Sequence, residues 1–147
     1  MKRRSPRHTL ETILVVDDQE MLLDVVVRIL KRANFHVLSA VGGSDAIRVA
    51  KEYSRTIDLL LSDIEMPGMC GPELGEVLKK ERPGLHVMLM SCGAGGNLLV
   101  LNYGWAYIQK PFVPSKLVEM INAVLHSPNR SQLGGYEFDR LKDESNQ

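Results

Sequence analysis

At 147 residues the chain has the length of one ordinary domain, enough for a single packed core. Its basic and acidic residues cancel to a formal charge of zero, with a pI near 6.9. That balance excludes broad electrostatic capture of nucleic acid or anionic lipid, which needs a cationic surplus. The two cysteines, Cys70 and Cys92, allow at most one bridge and are expected to be reduced.

Residues 1–10, with Lys2, Arg3, Arg4 and Arg7, are expected as a flexible basic arm. The apolar run that follows is cut by Asp17 and Asp18 too early to serve as a signal-peptide core, and no run reaches membrane-spanning length. A cytoplasmic protein with no membrane or nucleic-acid partner is the expectation.

The folded domain is expected over residues 11–126. Ile13 to Val16 reads as a strand, and Met21, Leu22, Val25, Val26, Ile29 and Leu30 as the apolar stripe of a helix. The alternation repeats through Val37 to Ala40, then Ala46, Ile47, Ala50 and Tyr53; and through Leu59 to Leu61, then Leu74, Val77 and Leu78. Val87 to Met90 is a fourth strand, followed by a weak segment around Leu98 to Leu101. Tyr107-Ile108 then precedes a last helix carrying Leu117, Met120, Ile121, Val124 and Leu125. Residues 127–147 read as a polar tail with a short helix over 136–143.

Five βα units favour a parallel sheet covered on both faces, too few for a closed barrel. The expectation is an α/β, flavodoxin-like, doubly wound (βα)5 sheet of order 2-1-3-4-5, with its switch point between strands 1 and 3. The aliphatic runs stop at Asp17-Asp18, Asp63, Ser91 and Lys110, residues that handle metal or phosphate, and a run stopping this way emerges at the carboxyl edge of a parallel sheet. Two carboxylates about 4 Å apart repel by roughly 4 kcal/mol at an effective dielectric near 20, so three of them need a cation or protons. Oxygen ligands select a hard ion, magnesium first and manganese as a substitute. Lys110 would hold the remaining oxygens of a phosphoryl group and Ser91 would donate to it, while the isolated Asp63 is the natural acceptor.

The set Ile13-Leu-Val-Val-Asp-Asp18, Asp63-Ile-Glu-Met-Pro-Gly-Met-Cys-Gly71, Ser91 and Tyr107-Ile-Gln-Lys-Pro-Phe112 resembles a response-regulator receiver domain of two-component signalling, CheY-like in pattern. The resemblance covers about residues 11 to 126. It implies Asp63 as phosphoacceptor, Asp18 as direct metal ligand, Asp17 as a metal positioner acting through water, and the Glu65 backbone carbonyl as a further ligand. Ser91 and Lys110 would bind the phosphoryl group, Tyr107 would move inward as the switch, and the bond before Pro111 would be cis. The implied function is a phosphoacceptor switch in a phosphorelay, not an enzyme beyond self-dephosphorylation. The implied donor is a sensor histidine kinase or histidine phosphotransfer protein, with an unidentified downstream protein target; a homodimer stays open. A receiver-like interaction module independent of phosphate is the alternative. A phosphatase of the haloacid-dehalogenase type fits poorly, because its second aspartate would fall at Glu65 and its motif on the first strand.

Three local readings stand beside these. Asp17 could be an N-cap, with Glu20 completing a capping box. Met66-Pro67-Gly68 reads as a type II turn. Cys92 reads as a small buried or half-buried residue. Only eighteen residues separate Ser91 from Lys110 and Gly93 to Asn97 is a poor helix former, so the helix between strands 4 and 5 is expected to be short or irregular. Gly104 stands next to Trp105 where the family has Gly-Ala, an altered approach to strand 5. Glu65 is expected at the mouth of the site, where it would repel or reposition the hydrolytic water.

Overall fold

The computed structural model describes residues 9–92 and 104–127. Its strands are β1 (Thr12–Val16), β2 (His36–Ala40), β3 (Leu59–Asp63), β4 (His86–Ser91) and β5 (Ala106–Gln109). Its helices are α1 (Glu20–Arg32), α2 (Gly43–Glu52), α3 (Gly71–Glu81) and α4 (Pro114–His126). All strands pair in parallel in the order β2-β1-β3-β4-β5. This is the doubly wound arrangement expected from the sequence, with β1 and β3 adjacent at its centre. The expected helix between β4 and β5, most of the basic arm, and the polar tail with its 136–143 helix lie outside the described residues. No helix among the described residues is long and apolar enough to cross a membrane.

Alternation along each strand sends side chains to opposite faces and so builds two cores. Ile13, Val15, Leu59, Leu61, Met88, Met90 and Ile108 pack under α1 and α4, meeting Leu23, Val26, Leu30, Leu117 and Ile121. Leu14, Val16, Leu60, Val87 and Leu89 pack under α2 and α3, meeting Ala46, Ala50, Leu74 and Leu78. Near-continuous aliphatic strands are what a sheet buried on both sides requires.

The stripe expected for α1 is rotated. Leu23, Val26 and Leu30 are buried, whereas Met21 is 85% exposed and Val25 51% exposed. The helix ends on Asn34, which takes φ +67, with Phe35 N–H donating to Leu30 O and Asn34 N–H to Lys31 O, both at 3.1 Å. This is a Schellman closure with asparagine in place of glycine, and the buried Phe35 and Leu30 supply its apolar contact.

Arg82, just past α3, closes the other layer. Its guanidinium donates to the carbonyls of Ala50 at 2.9 Å, Tyr53 at 2.7 Å and Arg55 at 2.8 Å. These are carbonyls at and beyond the end of α2 that the helix itself leaves without partners.

Candidate functional site

Asp17 follows β1 and is fully buried; Asp63 ends β3 with 7% of its surface exposed; Asp18 is exposed beside them. One carboxylate oxygen from each lies within 4.8 Å of the other two. Lys110, immediately after β5, reaches across: its Nζ is 3.0 Å from Asp17 Oδ2 and 3.4 Å from Asp63 Oδ1. Four residues that the sequence scatters between positions 17 and 110 thus share one crevice at the carboxyl edge of the sheet.

The turns fix these side chains. Asp17 Oδ1 accepts the Gln19 N–H at 2.9 Å, and the Asp17 N–H donates to Ala40 O at 3.2 Å. The N-cap of α1 is Gln19, with no side-chain cap bond, so the capping box on Asp17 and Glu20 does not form. After Asp63, Ile64 N–H donates to Met90 O at 3.0 Å and Gly71 N–H to Ile64 O at 2.8 Å, folding the 64–70 loop back on itself. Gly68 takes φ +83, as the turn reading requires, but Met69 N–H bonds Pro67 O at 3.0 Å, so the turn closes one residue tighter than type II.

Gly71, the last residue of the Asp63 motif, has a role that the motif alone does not reveal. A Cβ there would lie 2.2 Å from the Asp63 carbonyl oxygen, so only glycine lets α3 start against the loop carrying that aspartate. The buried Ser62 hydroxyl donates to the same carbonyl at 2.9 Å. The signal for both was their nearness to Asp63, which a polar or glycine residue alone does not distinguish from turn chemistry.

Ser91 is buried at the end of β4, and its carbonyl accepts the Lys110 N–H at 2.7 Å, which ties the two phosphoryl-binding candidates together through the backbone. Glu65 is exposed two residues beyond Asp63. Tyr107 is half-buried on β5, packed against the α2/α3 core, and pairs in register with Leu89. The Lys110–Pro111 bond is cis. Cys92 is exposed, contrary to the half-buried expectation, because it follows the last residue of β4 and emerges from the sheet. Both cysteines are free thiols. Beside Lys110 lies an apolar hollow of about 500 Å³ walled by Leu22, Val25, Ile29, Phe112 and Pro114 and edged by Cys92.

Burial raises the Asp63 carboxyl above its ordinary value; the Asp17 charge adds to the rise and Lys110 opposes it. Burial would lower the Lys110 ammonium, but its hydrogen bond to Asp17 and the charges of Asp63 and Asp17 raise it on balance. Three carboxylates face one lysine here, which leaves the cluster short of positive charge. An all-oxygen set with the exposed Asp18 carboxylate at its open side suits a hard divalent ion that retains waters. The donor set fits magnesium.

The response regulator receiver domain model matches residues 13–122. A response regulator receiver domain protein (CheY-like) from Methanospirillum hungatei JF-1 is 33% identical, with a TM-score of 0.71 over 80% of this chain and 94% of that one. A receiver domain protein from Clostridium thermocellum is 27% identical, with a TM-score of 0.73 over 84% of this chain and 98% of that one. Among curated relatives, the transcriptional regulatory protein ResD of Bacillus subtilis (strain 168) is 31% identical over 124 residues, covering 81% of this chain and 50% of its own length. The first curated relatives are covered over about half their length or less, from 19% to 51%. With its fold, its acidic crevice and these likenesses, the chain belongs to the response regulator receiver domain family.

Proposed function

We propose that the chain is a phosphorelay switch that accepts a phosphoryl group on Asp63 from a histidine kinase or histidine phosphotransfer protein and signals by docking to a protein target. The observation that supports this most directly is the convergence of Asp17, Asp18 and Asp63 within 4.8 Å, with Lys110 Nζ bonded to Asp17 and close to Asp63. A family role as a signalling switch fits a site that pairs a carboxylate nucleophile with charge neutralisation.

Asp17 and Asp18, the Asp63 carboxylate and the Glu65 carbonyl would hold the magnesium ion. When bound, the ion supplies charge neutralisation for the transferring group. The chain's own residues do the rest. An Asp63 oxygen attacks the phosphorus of phosphohistidine in line; the O–P bond forms as the P–N bond breaks, and the electron pair leaves on the imidazole nitrogen. Lys110 neutralises a phosphoryl oxygen and Ser91 donates to another. The inward move of Tyr107 then reports occupancy by biasing an existing equilibrium. The apolar hollow beside Lys110, with the exposed Val25 in its wall, offers a seat for the donor next to the lysine.

Magnesium-dependent labelling by phosphoramidate or acetyl phosphate is the test. Label labile to alkali and hydroxylamine, as an acyl phosphate is, is expected on the parent chain and absent from Asp63→Asn and from metal-chelated samples. Equal labelling of Asp63→Asn overturns the assignment of the acceptor, and no labelling of the parent overturns the function.

A further inference from the structure

Trp105, the only tryptophan in the chain, sits immediately before β5 and is half-buried against the α2/α3 core. The Cη2–Cζ3 edge of its six-membered ring abuts α3 at Gly75, where a Cβ would be 2.8 Å from both Cη2 and Cζ3 and 3.3 Å from Val87 Cγ1. Gly75 is thus a notch in the helix that the indole fills. Gly104, at φ +67, makes the turn that aims the chain into this seat. One strand residue later comes Ala106, which pairs with Met88, and then Tyr107, which pairs with Leu89. Strand alternation puts Trp105 and Tyr107 on the same face of β5.

The far end of this contact reaches the phosphoacceptor. Gly75 lies one helical turn beyond Gly71, the residue pressed against the Asp63 carbonyl. The indole therefore spans a helix that starts on the Asp63 loop and a strand that carries Tyr107 and leads into Lys110. An aromatic ring of this size buries roughly 150–250 Å² when enclosed and has few rotamers to lose, which makes it an effective rigid spacer.

We propose that Trp105 is a positioning residue for the switch: its indole, seated on Gly75, fixes where β5 enters the sheet and so the place from which Tyr107 responds to a phosphoryl group on Asp63. The proposal rests on the receiver function above. It makes α3 a direct mechanical neighbour of β5, a coupling that filling the notch would break.

The test uses the full chain with magnesium and beryllofluoride as the phosphoryl mimic, following the emission of Trp105 and the Tyr107 amide by NMR. In the parent, loading is expected to shift both. Gly75→Ala should displace the ring, raise its acrylamide quenching roughly twofold and remove the loading-dependent Tyr107 shift. Phosphoramidate labelling of Asp63 should persist. Gly84→Ala, at a glycine whose Cβ would meet nothing within 4 Å, should behave as the parent. If Gly75→Ala does not fold, Trp105→Ala, which only removes atoms, replaces it with the Tyr107 shift as readout, and Trp105→Phe should restore part of that shift. A Tyr107 shift of parental size in Gly75→Ala or Trp105→Ala, with labelling intact, overturns this inference and leaves the receiver function standing. Failure of the parent to label overturns both.

Discussion

As the proposed phosphoacceptor, Asp63 faces two demands that conflict. That role needs it ionised, yet burial favours its protonated form and the neighbouring Asp17 adds to this, with Lys110 pulling the other way. A carboxyl whose folded value stands above the unfolded one, near 3.9, binds more protons in the native state through the interval between them. Its contribution to stability is therefore present below the unfolded value and is lost as pH rises through the folded one. With magnesium chelated, Asp63→Asn should remove that loss. Urea midpoints between about pH 4 and pH 7 are expected to be flatter for the variant and higher at neutral pH. A variant less stable than the parent at pH 7 would contradict the assigned direction.

The two crowded glycines near the site sort by what a methyl group would strike. At Gly71 the obstacle is the Asp63 carbonyl oxygen, 2.2 Å away; at Gly43 it is the Met69 side chain, beginning at a Cβ 2.7 Å away that no rotamer change can move, so Gly71 is the tighter of two rigid contacts. Overpacking costs about 1–3 kcal/mol, and the tighter case belongs at the upper end or beyond. Gly71→Ala should therefore lower the thermal midpoint more than Gly43→Ala and should weaken Asp63 labelling as well. Equal losses would show that the α3 start is softer than the close approach indicates.

Between elements, Arg82 is the chief polar fastener of α2 to α3. Three carbonyl acceptors converge on one guanidinium that is only half-buried, so truncation exposes some of them to water and leaves others without a donor. Arg82→Ala is expected to destabilise by about 2 kcal/mol, read as a shift in urea midpoint with unchanged slope. Arg82→Lys should recover little, because one ammonium cannot reproduce the planar fork.

Much of this element arrangement was legible beforehand. Each aliphatic run became a strand, the central ones because a parallel strand buried on both faces has little tolerance for polar residues, and Asp17, Asp18, Asp63 and Lys110 at the run ends emerged together. The face of α1 was less legible: eight apolar residues crowd its thirteen positions, so the pattern admits more than one stripe, and packing against Ile13 and Leu61 selected the one with Leu23. Asn34 as a left-handed terminus and Gly71 as a close approach depend on backbone geometry. Composition announces the residue type there but not the conformation.

At the scale of the whole molecule, the crevice draws on strands of unequal standing. Asp17 and Asp63 follow or end β1 and β3, which have neighbours on both sides, whereas Lys110 follows β5, a four-residue strand at the sheet's margin with one neighbour. The Lys110–Asp17 bond joins positions 93 apart in the chain. Local opening is easiest where a strand has one partner and few buried side chains, and only Ile108 of β5 is fully buried. The carboxylate trio is in effect a fixed socket, and the lysine is a detachable cover on it. Amide exchange should register the split: Ile108 and Lys110 should exchange through partial opening, and Val15 and Leu61 only through global unfolding. A chain that briefly lifts this margin would bare its carboxylates without unfolding, so that, under the proposed function, admission of a cation and grip on a phosphoryl group become separately adjustable.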